Sequence, residues 1–232
     1  MNDLFGNALL DYHKAAANQK LITWTNLTDE DPVPLSYFFR TFEKMPEIEK
    51  KALELCKGKI LDIGCGSGTH SLFLQEQKKL DVTAIDISPG AVEVSKNRGV
   101  LKTHCISIDD FDIGKYNTIL LLMNGLGVAK TLKGVLPLLQ KLDTLLEKEG
   151  QILVDSSDLI YLFDEEEQEI WKADETYYGE LDFGIGYDEK EEVFPWLYLD
   201  FENLNEIVTS IGLKCEKVID GPNYDYLARI FR

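Results

Sequence analysis

Three glycines at alternate positions, Gly64, Gly66 and Gly68, follow directly on the run Ile60-Leu61-Asp62-Ile63, with Cys65 and Ser67 between them. Glycine lets such a turn adopt positive φ and lets the backbone approach a ligand with no Cβ in the way. A helix beginning just beyond the turn presents unpaired N–H groups to an electronegative ligand. The spacing departs from the dinucleotide fingerprint, which needs glycine at the position held by Thr69. Asp62, two residues before Gly64, would repel a pyrophosphate but could pair with an ammonium group, directly or through water. The loop therefore suits a ligand that carries an α-amino acid, with Gly64, Cys65, Gly66 and Gly68 forming the backbone against which it lies.

A second acid, Asp86, closes the run Val82-Thr83-Ala84-Ile85 twenty-two residues after Gly64. A carboxylate at that place can accept both hydroxyls of a ribose, and Ile87 beside it offers an apolar face to a base. A third run, Cys105-Ile106-Ser107-Ile108, leads into Asp109 and Asp110. There Asp109 could accept from the exocyclic amine of adenine while a neighbouring N–H meets a ring nitrogen.

These groups need a scaffold that brings the ends of several strands together. From Lys59 onward, short apolar runs alternate with helical ones. Strands are expected at Lys59–Ile63, 81–85, 103–108, 116–123 and 151–155, and helices at 68–77, Pro89–Asn97 and 132–147. Ser88 is the expected N-cap of the second helix, with Pro89 at its first position. Strands spaced by helices require right-handed crossovers and a parallel, doubly wound α/β sheet. Residues 158–198 break that rhythm with the acids of 164–169 and an aromatic-rich stretch. Within it, 177–187 and 192–198 could pair as a hairpin across Asp188-Glu189-Lys190. A helix at Phe201–Ser210 and strands near 213–218 and 226–231 follow. Residues 1–57 read as a helical, loop-rich cap broken at Asp31-Pro32-Val33-Pro34. The expected organisation is thus a cap over 1–57 and one domain over 58–232, with an insertion at about 158–198 on the substrate side.

Composition narrows the partners. The 232 residues hold 24 Lys and Arg against 41 Asp and Glu, a net charge of −17. Such a field repels phosphate backbones and anionic membranes, so a small molecule or a protein is favoured over nucleic acid. The longest aliphatic run, Ile119 to Met123, is far short of the ~20 residues that span a bilayer, and the N-terminus carries no signal-peptide pattern. A cytoplasmic protein is the expectation. The cysteines (Cys56, Cys65, Cys105, Cys215) and histidines (His13, His70, His104) show no metal-ligand spacing, so no structural metal is expected.

The motif Ile60–Gly68 followed by Asp86, Asp109 and the strand ending at Asp155 resembles the class I S-adenosylmethionine-dependent methyltransferases over about residues 58–157, plus the closing strands. The resemblance implies a Rossmann-like, three-layer α/β/α fold with a seven-stranded sheet whose last strand is antiparallel. It also implies S-adenosyl-L-methionine as cofactor, S-adenosyl-L-homocysteine as product, and a methionine end lying near Gly64, Gly66 and the turn Met123-Asn124-Gly125. Two departures stand out: Tyr116-Asn117 in place of an aromatic-Asp pair, and Asn124-Gly125-Leu126-Gly127 in place of an [Asp/Asn]-Pro-Pro-aromatic tetrad. The second argues against the branches that methylate bases or glutamine amides. Methyl transfer from a sulfonium is mainly a matter of positioning, so no universal catalytic residue marks the acceptor. Its walls are sought in Tyr12, Tyr37, Arg40, Tyr177, Tyr178 and Trp196. Arg40 could clamp the cofactor carboxylate or pair with Glu43 or Glu47. Asp155 or Tyr177 could serve as a base. A protein acceptor, a catalytically silent scaffold and a nucleotide-dependent dehydrogenase are the competing readings.

Overall fold

The structure, a computed structural model, describes residues 3–15, 20–164 and 177–232. The acids at 165–169 lie outside the described residues. In chain order the elements are α1 (Leu4–His13), β1 (Leu21–Thr25), β2 (Thr28–Val33), α2 (Glu47–Leu55), β3 (Lys59–Ile63), α3 (Thr69–Glu76), β4 (Asp81–Asp86), α4 (Pro89–Asn97), β5 (Thr103–Cys105) and β6 (Tyr116–Leu121). They continue with α5 (Leu132–Leu145), β7 (Leu146–Ser157), β8 (Glu180–Tyr187), β9 (Lys190–Leu197), α6 (Phe201–Ser210), β10 (Lys214–Asp220) and β11 (Asp225–Phe231).

Seven strands form one sheet in the order β10-β11-β7-β6-β3-β4-β5. The pairs β7/β6, β6/β3, β3/β4 and β4/β5 are parallel, and β11 runs antiparallel to both β7 and β10. The reversed last strand is therefore present, and the doubly wound fold stands. Alternation along the central strands sorts side chains to the two faces. Ile60, Leu120, Leu153 and Leu227 join Ile48, Ala52 and Leu53 of α2 and Leu74 of α3. Leu61, Ile119, Leu121, Ile152 and Val154 meet Val135, Leu139 and Leu142 of α5 and Leu204 and Val208 of α6 on the other face. Each such side chain, wholly removed from water, contributes ~1.5–3 kcal/mol, so helices are held on both faces of the sheet.

The chain fills β3, β4 and β5 outward in one direction and then crosses to β6 on the other side of β3. The switch point lies between β3 and β6, where an open α/β sheet leaves a crevice beyond its strand ends.

The N-terminal segment departs from the helical, loop-rich cap expected for it. Leu21–Thr25 and Thr28–Val33 pair as an antiparallel hairpin, and β1 also pairs with β8. With β9 they make a second, four-stranded sheet, β2-β1-β8-β9. The run Leu21-Ile22-Thr23-Trp24-Thr25 is too short for a helix to be favoured over a strand, and one of its two partner strands, β8, lies about 160 residues away. The expected hairpin within 177–198 is present, closed more tightly than expected by Asp188-Glu189. Both residues have positive φ (53° and 59°), as a two-residue type I′ turn requires. Trp24 packs against Gly184, where an added Cβ would lie 2.0 Å from its ring.

Helix α1 docks on α4 through two glycines. A Cβ on Gly90 would lie 2.6 Å from the Gly6 carbonyl carbon, so any larger residue there would push the helices apart. Asp3 joins their N-termini, accepting from Gly6 N (3.2 Å) and Gly90 N (2.8 Å).

Candidate active site

The glycine loop leaves β3 and is pinned to β4 at once. Gly64 N and Cys65 N both donate to the Ile85 carbonyl (2.9 and 3.1 Å), and Gly66 N donates to Asp86 Oδ2 (2.9 Å). The loop and the acid at the end of β4 are thus in direct contact. Ser88 N donates to Asp86 Oδ1 (2.9 Å). Burial raises the Asp86 pKa against the pull of these two N–H groups. Each oxygen keeps lone-pair capacity for a ligand hydroxyl.

The three glycines do different work. All have positive φ: 72°, 53° and 80° at Gly64, Gly66 and Gly68. A Cβ on Gly64 would meet nothing within 4 Å, and one on Gly66 would meet only the Phe5 ring of α1 at 3.9 Å. These two border open space. A Cβ on Gly68 would lie 2.8 Å from Val100 and 2.9 Å from Ser95, so Gly68 seats α3 against α4. Cys65 turns its side chain inward, packing with Ala84 and Val100, and burial raises its thiol pKa. Only its backbone belongs to the crevice wall.

Other predicted residues are placed less simply. Asp62 is 2% exposed and accepts from Ser71 Oγ at 2.6 Å; the structure gives it a partner on α3. Ile87 is 59% exposed at the end of β4, open to a base. Strand β5 ends at Cys105 rather than at 108, so Asp109 and Asp110 sit on an exposed turn beyond it, bonded through Ser107. Asn117 lies at the start of β6, far from the crevice, where its Oδ1 accepts from Lys59 N (2.8 Å). Asn124, expected at the cofactor, instead ties three elements together: Nδ2 donates to the Leu197 carbonyl (3.1 Å) and Oδ1 accepts from Ser156 Oγ (2.9 Å).

The turn after β6 is left-handed at Met123 (φ 64°) and Asn124 (φ 55°). That conformation aims Met123 N and Gly125 N at the two Asp155 oxygens (3.1 and 3.3 Å) at the end of β7. Asp155, Met123, Tyr37, Glu49 and Asp225 line a cavity of about 260 Å³, with Pro46 and Ile48 as its apolar side. Burial pushes the Asp155 carboxyl up to about 7, the backbone N–H groups of Gly125, Met123 and Asn124 opposing and Glu49 adding repulsion. The folded protein therefore holds this proton more tightly than the unfolded chain, where aspartate titrates near ~3.9. Stability from this group is full below about pH 4 and is lost as pH rises through about 7. Asp155→Asn should raise the melting temperature at about pH 8, with the gain shrinking towards about pH 4. A gain that does not vary with pH would count against a perturbed Asp155.

The N-terminal segment covers the loop. The Phe38 carbonyl accepts from Ser67 Oγ and from Thr69 Oγ1 (2.8 Å). Arg98 donates to Ser67 O and to the Ser67 and Thr69 hydroxyls. Arg40 pairs with Glu49, not with Glu43 or Glu47; it donates to the Tyr37 carbonyl through its other terminal nitrogen and stacks on the Tyr37 ring at 3.9 Å. Both terminal nitrogens are therefore engaged within the protein, which displaces the expected clamp on a ligand carboxylate. Glu49 also meets His70 Nε2 at 2.7 Å. This buried triad carried no sequence signal beyond its residue types.

The aromatic candidates divide. Tyr37 reaches the cavity. Tyr12 packs on Phe39, and Trp196 lies over Gly127, where a Cβ would meet its ring at 2.0 Å. Tyr177 donates to Asp200 (2.6 Å) and Tyr178 to Asp158 (2.7 Å). Burial raises the pKa of both phenols and the accepting carboxylates raise it further. Tyr177 is thus a poor base, and its bonds to Asp200 mark it as a strut.

Residues 60–150 match a family described as a methyltransferase domain. A crystal structure of a Bacteroides fragilis S-adenosylmethionine-dependent methyltransferase in complex with S-adenosyl-L-homocysteine is 40% identical, with a TM-score of 0.88, and the match covers 98% of this chain and 94% of that one. YqeM of Bacillus subtilis is 26% identical over 189 residues, 70% of this chain and 76% of its own length. Ribosomal RNA small subunit methyltransferase C of Escherichia coli is 41% identical over 56 residues, and the chain spans only 16% of that protein's length. Near-complete coverage at 40% identity, on the fold and glycine loop described above, places this chain in the S-adenosylmethionine-dependent methyltransferase family.

Proposed function

We propose that the chain binds S-adenosylmethionine across the switch point and transfers its methyl group to a small molecule. The observation that carries the reading is the pair Gly64 and Gly66, held at positive φ beside open space, with Gly66 N bonded to Asp86. In this reading Asp86 accepts the ribose hydroxyls, Ile87 covers the base, and Asp109 or Asp110 lies near its amine edge. The methionine end lies over Gly64 and Gly66 towards Met123, with Asp62 acting on its ammonium from beneath the loop. When bound, the sulfonium supplies a methyl group already activated for in-line displacement. The chain supplies position and exclusion of water: the loop fixes the donor, while the segment around Tyr37–Arg40 and the second sheet wall off the acceptor. A cavity of about 260 Å³ suits a small acceptor or one projecting side chain, and the charge of −17 disfavours a nucleic-acid backbone.

Calorimetric titration with S-adenosylhomocysteine should show binding in the micromolar range, with Asp86→Ala weakening it about a hundredfold or more. Two hydrogen bonds to an ionised group, each worth ~1.5–3 kcal/mol, set that scale. Absence of heat with the wild-type protein would remove the proposal.

A further inference from the structure

We propose that the methyl acceptor is an amine, drawn into the cavity as its ammonium form, and that Asp155 takes its proton so that the nitrogen can attack. This rests on the cofactor reading above and adds the acceptor class and the base. The cavity opens where the strands β6 and β7 end, beside the switch point. Its walls carry three carboxylates, Glu49, Asp155 and Asp225, and no lysine or arginine is among its lining residues. The carboxylates are not equivalent. Glu49 is already matched by Arg40 and His70. Asp225 accepts from Asn223 N (2.9 Å) and sits at the start of β11. Asp155 meets only backbone N–H groups, those of Met123 and Gly125 and that of Asn124 between them; no cation pairs with it among the described residues, so a positive charge entering the cavity would be its first counter-ion. The same turn fixes its oxygens, which a base needs for a defined reach.

The chemistry balances. The ammonium gives one proton to an Asp155 oxygen. The freed lone pair forms the N–C bond as the S–C bond of the donor breaks, and its electrons remain on the departing thioether. The positive charge of the sulfonium passes to the nitrogen of the new N-methylammonium, and the proton on Asp155 leaves to water when Asp155 reionises. Three surrounding carboxylates attract an ammonium through its charge, an attraction that a neutral alcohol lacks, and an anionic acceptor would be repelled.

The test incubates the full chain with methyl-labelled S-adenosylmethionine and a panel of alkylamines, amino sugars and aromatic amines beside matched alcohols, phenols, thiols and carboxylic acids. Products are identified by mass spectrometry, and S-adenosylhomocysteine binding is measured calorimetrically on every variant. Label on nitrogen, with Asp155→Asn lowering kcat about 100-fold or more at unchanged S-adenosylhomocysteine affinity, is the expected result. Asp225→Asn should raise KM for the amine roughly fivefold with little change in kcat, the size of a solvent-screened charge contact. Label only on oxygen, sulfur or carbon, or no labelled product from a protein that binds S-adenosylhomocysteine, overturns the amine proposal and leaves the cofactor reading standing. No binding of S-adenosylhomocysteine overturns the cofactor reading itself. An Asp155→Asn protein that transfers at the wild-type rate removes Asp155 as the base.

Discussion

Replacing Gly66 with valine is expected to cut affinity for S-adenosylhomocysteine about 100-fold or more while leaving a folded protein. Two effects add. The residue sits at φ 53°, where a β-branched side chain stores ~1–3 kcal/mol of strain. Its Cβ would also project into the space bordered by Phe5 and nothing else nearby, the space the ligand is proposed to fill. Relief of the strain shifts the loop, and the loop carries the Gly66 N–H that holds Asp86. A hundredfold loss corresponds to ~2.8 kcal/mol, within reach of these effects together. Gly68→Ala is the informative comparison. Its Cβ would press on Val100 and Ser95, an overpacking that costs ~1–3 kcal/mol of stability and touches no open space. Calorimetry and thermal melts on the two variants should therefore separate: Gly66→Val loses binding as well as some stability, whereas Gly68→Ala loses stability and keeps binding. Equal losses of both properties in both variants would mean that the loop does not divide ligand contact from packing as described.

The difference between those glycines shows how far the sequence could be read. A strand, an alternating glycine run, a helix and a downstream acid are all local patterns, and β3 and α4 fall at the expected residues. The order of elements also puts the glycine loop and Asp86 on one crevice, because adjacent parallel strands end at one edge of a sheet; their direct contact comes from the structure. What local pattern could not carry was pairing at long range. The strand Leu21–Thr25 gains its place from β8, more than 150 residues later, so the N-terminal cap read as helical. Asn124 reads as a ligand group from its position after β6, yet its amide bonds run to Ser156 of β7 and to Leu197, the latter brought there by the second sheet. Asp109 suffered from a boundary: β5 stops at Cys105, and a few residues of turn change where an acid points. Arg40, Glu49 and His70 are individually ordinary surface residue types, and only tertiary packing buries them together.

That buried triad predicts the largest stability change in the molecule. Arg40 is 7% exposed, Glu49 3% and His70 8%. Each belongs to a different segment: the turn that covers the glycine loop, helix α2, and the first turn of α3. Burial alone would raise the Glu49 pKa, but His70 and then Arg40 outweigh it, and the group is held below its usual range. Its contribution is present above the unfolded carboxylate pKa of ~4.3 and is lost as pH falls through the lower folded value. Arg40→Met removes the cation and leaves a buried carboxylate with His70 as its remaining ionisable partner. Breaking a buried pair in this way costs ~3–5 kcal/mol, or roughly 6–20 °C of melting temperature for a chain of this size. The double variant Arg40→Met/Glu49→Leu removes both charges and should recover most of that loss, since well-packed apolar replacements of a buried pair are often neutral. Binding of S-adenosylhomocysteine should not recover with stability: Arg40 also holds the Tyr37 carbonyl, and Phe38 beside it anchors the loop at Ser67 and Thr69. A single variant as stable as the wild type would show that the pair is solvated in solution. A double variant that regains full affinity would show that the covering segment reaches the loop without its charged staple.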